Sequence, residues 1–244
     1  MLEAEQISKN YEKHLKIIDH YLSEDRATKV KAMLNHLGDN YVMAPASSKT
    51  WYHNAFPGGY IDHVNRVVQF AFKQKALYEQ MGGTIDFTDE QLAFAALFHD
   101  LGKMGDGDAP NYIPQTDKWR QDKLQEKYTY NPDLQFMLIP DRSLFILQKF
   151  GIQVDMLEFL GIRLHDGVFD KANEAYFFSN MESSRQKTSI ISVLHTADFL
   201  ASKVEYDMWK RNGGSSKPKR PKTTASTGRS VKSSEGLSNM LKNL

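Results

Sequence analysis

The sequence predicts an all-α fold, and three observations carry that expectation. Apolar residues recur at steps of three and four through most of the chain, the period of one helical face. Helix start and stop signals punctuate those stretches. Signals for extended strand are confined to one short region. The first helix spans 3–22, with Ile7, Tyr11, Leu15, Ile18 and Tyr21 on one face. A second spans 25–37 through Val30, Met33 and Leu37, and Gly38 is its stop. After a loop at 40–49, a long helix over 60–81 carries Val64, Val67, Val68, Phe70 and Ala71 and closes at Gly82-Gly83. Thr88 opens the next helix, and Gln91 three residues on completes a capping box. That helix runs through Leu92, Ala95, Ala96 and Phe98. Residues 104–140 are irregular, because Gly105, Gly107, Pro110, Pro114, Pro132 and Pro140 break any long helix. This stretch is expected to hold a short polar helix near 117–127 and a brief pairing of 128–130 with 136–138. Helices resume at 141–150 and 153–165, split by Gly151. The last, 186–210, places Ile190, Val193, Leu194, Ala197, Leu200 and Ala201 on one side. No internal repeat is visible.

The 244 residues suffice for one substantial domain or two small ones. Apolar content of 41% and charged content of 25% are those of a globular protein. No run of apolar residues is long enough for a membrane span. The start, Met1-Leu-Glu-Ala-Glu-Gln, is acidic and lacks the basic and apolar regions of a signal peptide, so a cytoplasmic location is expected. The chain has no cysteine, which excludes disulfides and thiolate metal sites; any metal must be held by His, Asp and Glu. The net charge of +1 hides an asymmetry. Residues 210–244 hold nine Lys/Arg and one acidic residue, against 22 and 29 in the remainder. From Gly213 to Ser234 almost nothing is apolar, and that composition predicts disorder. Leu237, Met240, Leu241 and Leu244 then form a short apolar stripe.

The chemistry concentrates at His99-Asp100, where a polar pair ends the apolar run Phe94-Ala-Ala-Leu-Phe. Adjacent helical residues point about 100° apart, so both can reach one ion only from a cleft at a helix end, which Gly102 marks. His63 stands just after Gly58-Gly59, at the start of the long helix. Asp198 flanks the apolar stripe of the last helix, and a carboxylate carried into a core is costly unless paired or metal-bound. Imidazole with carboxylate is the ligand mix of a hydrolytic divalent-metal site. His195, one helical turn before Asp198, can ligate or can orient Asp198 from outside. His165, in His165-Asp166-Gly167, is either a helix-end residue or a contact for substrate or a second metal. Lys103 can neutralise a phosphate oxygen. His20 and His36 fall on polar faces, His14 lies near an apolar stripe and reads as packing, and the role of His53 stays open between substrate contact and outer support.

The order His63, His99-Asp100, Asp198 resembles the H…HD…D signature of the HD superfamily of metal-dependent phosphohydrolases. The resemblance covers roughly 40–207, and His99-Asp-Leu-Gly-Lys103 and Gly58-Gly-x-x-x-His63 carry most of it. Met43-Ala-Pro-Ala-Ser-Ser-Lys49 followed by His53-Asn-Ala-Phe-Pro-Gly-Gly59 is similar to the lead-in of HD-type 3′-to-5′ exoribonucleases. Ile162-Arg-Leu-His165-Asp-Gly-Val-Phe169 and Leu194-His-Thr-Ala-Asp198 resemble later blocks of small HD hydrolases. The resemblance implies a helical bundle around the metal, with 1–39 as N-terminal helices packing on the core, 40–210 as the HD domain and 211–244 as a basic tail. It implies His63, His99, Asp100 and Asp198 as ligands. It makes Asp100, Lys103 and His165 the residues expected to act in catalysis, and His195 and His53 outer or substrate residues. Relatives with two metals usually carry another His where Ile139 stands here, with Asp141 nearby, so one ion is expected. Mn, Mg, Co, Ni, Fe and Zn all suit His₂Asp₂ ligation. The expected reaction is hydrolysis of a phosphomonoester or phosphodiester of a nucleotide or short oligonucleotide, by water that the metal activates. In that scheme Asp100 orients the water, and Lys103 and His165 meet the charge on the phosphate. Tyr112, Trp119, Tyr128 and Tyr130 either stack on a base or anchor the irregular segment to the core. The alternative is a catalytically silent HD-fold adaptor that binds a protein or nucleic acid through the tail.

Overall fold

The computed structural model describes residues 2–178 and 181–214, and the expected tail with its stripe at 237–244 lies outside them. Among the described residues the architecture is all-α. The first helices are α1 (Ala4–Tyr21), α2 (Glu24–Leu37), α3 (Asp39–Val42) and α4 (Gly59–Gln80). Next come α5 (Asp89–Phe98), α6 (Lys118–Leu124), α7 (Ile139–Lys149) and α8 (Met156–Leu164). The short α9 (Glu174–Phe177) and the long α10 (Ile190–Arg211) complete the order. No described helix is long and apolar enough to cross a membrane.

Helix α5 is the centre of the bundle. Every residue from Leu92 to Phe98 is buried, so it is apolar on all sides, as a helix enclosed by others must be. It packs against α4 on one flank and α8 on another, and α4 packs along α10. Ile18, Val30 and Met33 of the first two helices share this core with Phe94, Leu97 and Leu194. Arg26 of α2 lies 3.6 Å over the Phe94 ring and pairs through both terminal nitrogens with the fully buried Glu158 of α8. A planar guanidinium suits both tasks.

Two helices begin alike. The hydroxyl of Thr88 accepts from Gln91 N while the Gln91 side chain accepts from Thr88 N, as the sequence predicts. Asp155 and Glu158 build the same reciprocal cap on α8. Gln91 Nε2 donates to Asp155 Oδ2 at 2.7 Å, tying the two starts together.

The irregular segment departs from expectation in its pairing. Strand β1 (Tyr112–Pro114) pairs antiparallel with β2 (Tyr128–Tyr130), with α6 between them; 136–138 forms no strand. Arg142 Nη2 donates to the carbonyl of Gln135 just before that stretch, and the Phe136 side chain is exposed. Tyr112 and Tyr130 face across the pair, 5.4 Å apart. Pro140 does not interrupt α7 but sits in its first turn, where the missing N–H costs nothing. The helix therefore starts at Ile139, two residues before the expected 141.

Candidate metal centre

Helices α4, α5, α8 and α10 each deliver part of one buried cluster. α5 ends at His99 and α8 ends at His165, and both imidazoles follow the same local rule. Nδ1 of His99 lies 2.9 Å from the Ala96 carbonyl, and Nδ1 of His165 lies 2.8 Å from the Ile162 carbonyl. A last-turn carbonyl is an open acceptor at a helix end, and only an Nδ1–H can satisfy it. In each case an aspartate follows and a 3₁₀ turn begins, at Leu101–Met104 and at Gly167–Phe169. The sequence showed no repeat, yet the two packed helices share this grammar from cap to aspartate.

His63, from the first turns of α4, has its Nδ1 3.1 Å from both carboxylate oxygens of Glu205 on α10. A carboxylate can only accept, so Nδ1 carries the proton. Three buried histidines thus turn Nε2 toward the same place. His63 Nε2 lies 3.1 Å from Asp198 Oδ1 and 3.7 Å from Asp100 Oδ2. His99 Nε2 lies 3.4 Å from Asp100 Oδ2 and 3.8 Å from Asp198 Oδ1. His165 Nε2 lies 3.7 Å from Asp100 Oδ1 and 3.6 Å from Asp166 Oδ2. Nε2 of His63 and of His99 are buried and have no hydrogen-bond partner.

Lone pairs facing carboxylates repel unless a cation lies between them, and buried polar atoms without partners are rare. Ligand atoms of His63, His99 and Asp198 all lie within 4.8 Å of one another, as do those of His99, Asp100 and His165. The residues fit a divalent ion, and this buried His/Asp group could hold one.

The electrostatics agree with a site built for positive charge. Burial opposes ionisation of Asp100, but Lys103 and His99 hold its carboxyl well below the usual carboxylate range. Burial likewise opposes ionisation of Asp198, and the neighbouring imidazoles of His63 and His99 outweigh it, lowering its pKa. For His63, burial pushes the pKa down while Glu205 and Asp198 pull harder and raise it to about 10. Carboxylates that favour a proton there would favour a metal cation in its place. Lys103 is buried against Asp100 Oδ2, and that pairing raises its pKa against the pull of burial.

The remaining expected residues fall in different places. The hydrogen bond of His195 Nδ1 goes to the His165 carbonyl at 2.6 Å, so it braces that helix end. The His53 ring stands 4.8 Å from His63, and burial together with Lys103 and His63 lowers its pKa well below normal. Its Nε2 is a third buried ring nitrogen without a partner. Asp141 pairs with Arg163 Nε at 2.8 Å and is no ligand in this arrangement. His20 and His36 are exposed, and His14 is buried and hydrogen-bonded in the core. Trp119 and Tyr130 are largely exposed, whereas Tyr112 and Tyr128 are partly covered.

Three contributors were not singled out from sequence. Glu205 lies two helical turns beyond Asp198 and is 2% exposed, a glutamate buried on a helix of mixed pattern. Arg66 Nη1 donates to Glu205 Oε1 at 2.8 Å and to Asp62 Oδ2 at 3.0 Å, so the carboxylate behind His63 is itself held. Ser143 on α7 accepts from Gly102 N at 2.8 Å and reaches the His99 carbonyl at 3.0 Å, fastening the turn after the His-Asp pair. Gly102 is needed for this approach rather than for a left-handed cap: a Cβ there would meet the Ile139 carbonyl oxygen at 2.2 Å. Asp166, whose ligand atom groups with those of His165 and Asp198, completes the cluster on its outer side. No family model, curated protein or solved structure matches this chain.

Proposed function

We propose that the protein is a metal-dependent hydrolase, with His63, His99, Asp100 and Asp198 holding one divalent ion. More particularly, we read it as an HD-type phosphohydrolase that opens a phosphomonoester or phosphodiester of a nucleotide or short oligonucleotide. One observation carries this reading: the Nε2 atoms of His63 and His99 are buried, partnerless and aimed at two carboxylates. A bound divalent ion supplies a Lewis acid and a water of lowered pKa.

The chain's own groups account for the rest. Asp100 Oδ1 faces His165 while Oδ2 faces the other histidines and Lys103, so one carboxylate can both ligate and orient water. Lys103 stays protonated beside Asp100 and places a positive charge for a phosphate oxygen. His165 has its pKa raised by Asp166 and Asp100 despite burial, which suits a group that hands a proton to a leaving oxygen. Glu205 holds the His63 ring and its tautomer. No Ser or Thr hydroxyl is activated by a neighbouring base in the cluster as described, so direct attack by water is the simplest scheme.

The test is metal content per chain by mass spectrometry, on protein purified without added metal or chelator, beside Asp100→Ala. About one transition metal per chain, lost in the variant, supports the reading and justifies a screen of nucleotides and phosphodiesters. No metal in either protein after soaking with Mn²⁺ overturns it.

A further inference from the structure

Beside the cluster, the turn Gly167–Phe169 and helix α10 present two large aromatic rings. Phe169 is 72% exposed and Phe199 39% exposed. Their planes are 8° from parallel with centroids 6.1 Å apart. Single exposed apolar side chains are ordinary and need no explanation. This pair differs in three respects. The rings are aligned with one another. They adjoin the cluster through the chain and through His195: Phe199 follows Asp198, Phe169 stands three residues after Asp166, and the His195 ring, 5.9 Å from Phe169, is bonded to the His165 carbonyl. And Phe169 sits on a braced turn. Fully buried Asn173 donates to the Gly167 carbonyl at 2.9 Å and accepts from Arg163 at 2.5 Å, while Phe169 N donates to the Asp166 carbonyl at 3.2 Å.

We infer that Phe169 and Phe199 seat the flat base of the substrate next to the metal-binding cluster, an inference that rests on the phosphohydrolase reading. A planar ring laid parallel to the exposed Phe169 ring extends this stack, and every nucleobase has a face for that. Phosphate held by the cluster and base held by the ledge then fix the two ends of a nucleotide. Lys203, exposed on α10 with its Nζ 4.9 Å from the Phe199 ring centroid, adds positive charge on the same side. The seat selects nucleotides over base-free sugar phosphates, and it acts on binding rather than on the chemical step.

The experiment measures binding of AMP and of ribose 5-phosphate to the full chain in the presence of Mn²⁺, with metal content determined on the same samples. Wild type is expected to bind AMP at least about tenfold tighter than ribose 5-phosphate. Phe169→Ala and Phe199→Leu should each bring the two affinities to within about threefold, with ribose 5-phosphate binding and metal content unchanged. Metal bound with no preference for AMP, or a preference that survives both substitutions, overturns the base seat and leaves the hydrolase reading standing. A ring-dependent preference without metal keeps the seat and sinks the hydrolase. Neither metal nor preference sinks both.

Discussion

Two fully buried histidines, His14 on α1 and His63 on α4, lie in the same bundle and have opposite fates. His14 is saturated. Its Nδ1 lies 2.9 Å from Asn65 Oδ1, and Tyr41 donates its hydroxyl to Nε2 at 2.7 Å. Burial lowers its pKa to about 4, the bond to Asn65 only partly opposing that, so it is a neutral core residue. His63 has one nitrogen tied to Glu205 and the other facing two carboxylates with no hydrogen-bond partner. Asn65 and His63 are two residues apart on one helix, so the helix supplies both environments. The difference teaches that burial does not distinguish a structural imidazole from a ligand. What distinguishes them is whether the second nitrogen is satisfied by the protein.

That contrast can be broken in several ways. The largest effect should come from Asp100→Ala. Loss of a carboxylate shared by three imidazoles is expected to abolish metal retention and hydrolysis while the far-ultraviolet helical signal stays near wild type. Turnover by a metal-stripped Asp100→Ala protein would contradict the scheme.

Acid should act through the other histidine. His14 titrates near 4 in the folded protein and near 6.5 when released, so the unfolded chain takes up the proton first as pH falls. Its contribution is whole above pH 6.5 and is lost on the way down to 4, roughly 3 kcal/mol in all. Urea unfolding across that window should show stability falling with pH, with a shallower fall in His14→Leu, which is also weaker at neutral pH because Tyr41 and Asn65 lose their partner. An equal slope in both proteins would remove His14 from the account.

Glu205→Gln keeps the shape of the support behind His63 but removes its charge. Such a change should weaken metal binding by about tenfold to a hundredfold, measured by chelator competition. An unchanged affinity would make Glu205 a partner of Arg66 alone. The smallest effect belongs to Thr88→Ala, which removes the hydroxyl that caps α5. It should cost about 1 kcal/mol of stability without altering metal stoichiometry. Loss of metal in that variant would mean that the start of α5 positions His99.

The helices were legible in the chain because their signals are local. The Thr88–Gln91 cap, the apolar run into His99 and the stripe of α10 each lie within a few turns. The pair of strands was half legible: 128–130 has strand-forming residues, but its partner 112–114 lies on the far side of α6, beyond the reach of a hairpin signal. Asp198 could be singled out because a carboxylate beside an apolar stripe is expensive. Glu205 could not, because its partner His63 is 142 residues away and glutamate on a helix is ordinary. His195 was legible as an outer residue, but which group it braces depended on where the end of α8 comes to rest.

By itself, then, the sequence determined an all-α chain with no thiolate chemistry, and it marked His63, His99, Asp100 and Asp198 by the company they keep along the chain. Only the tertiary structure decided that they meet. It also decided which nitrogen of each histidine is free, because tautomer follows the acceptor bound to Nδ1. Those acceptors are the carbonyls of Ala96 and Ile162 at two helix ends and a carboxylate brought across from α10. Helix periodicity is written in neighbours a few residues apart, whereas the direction of a lone pair is set by whatever packing places against the ring.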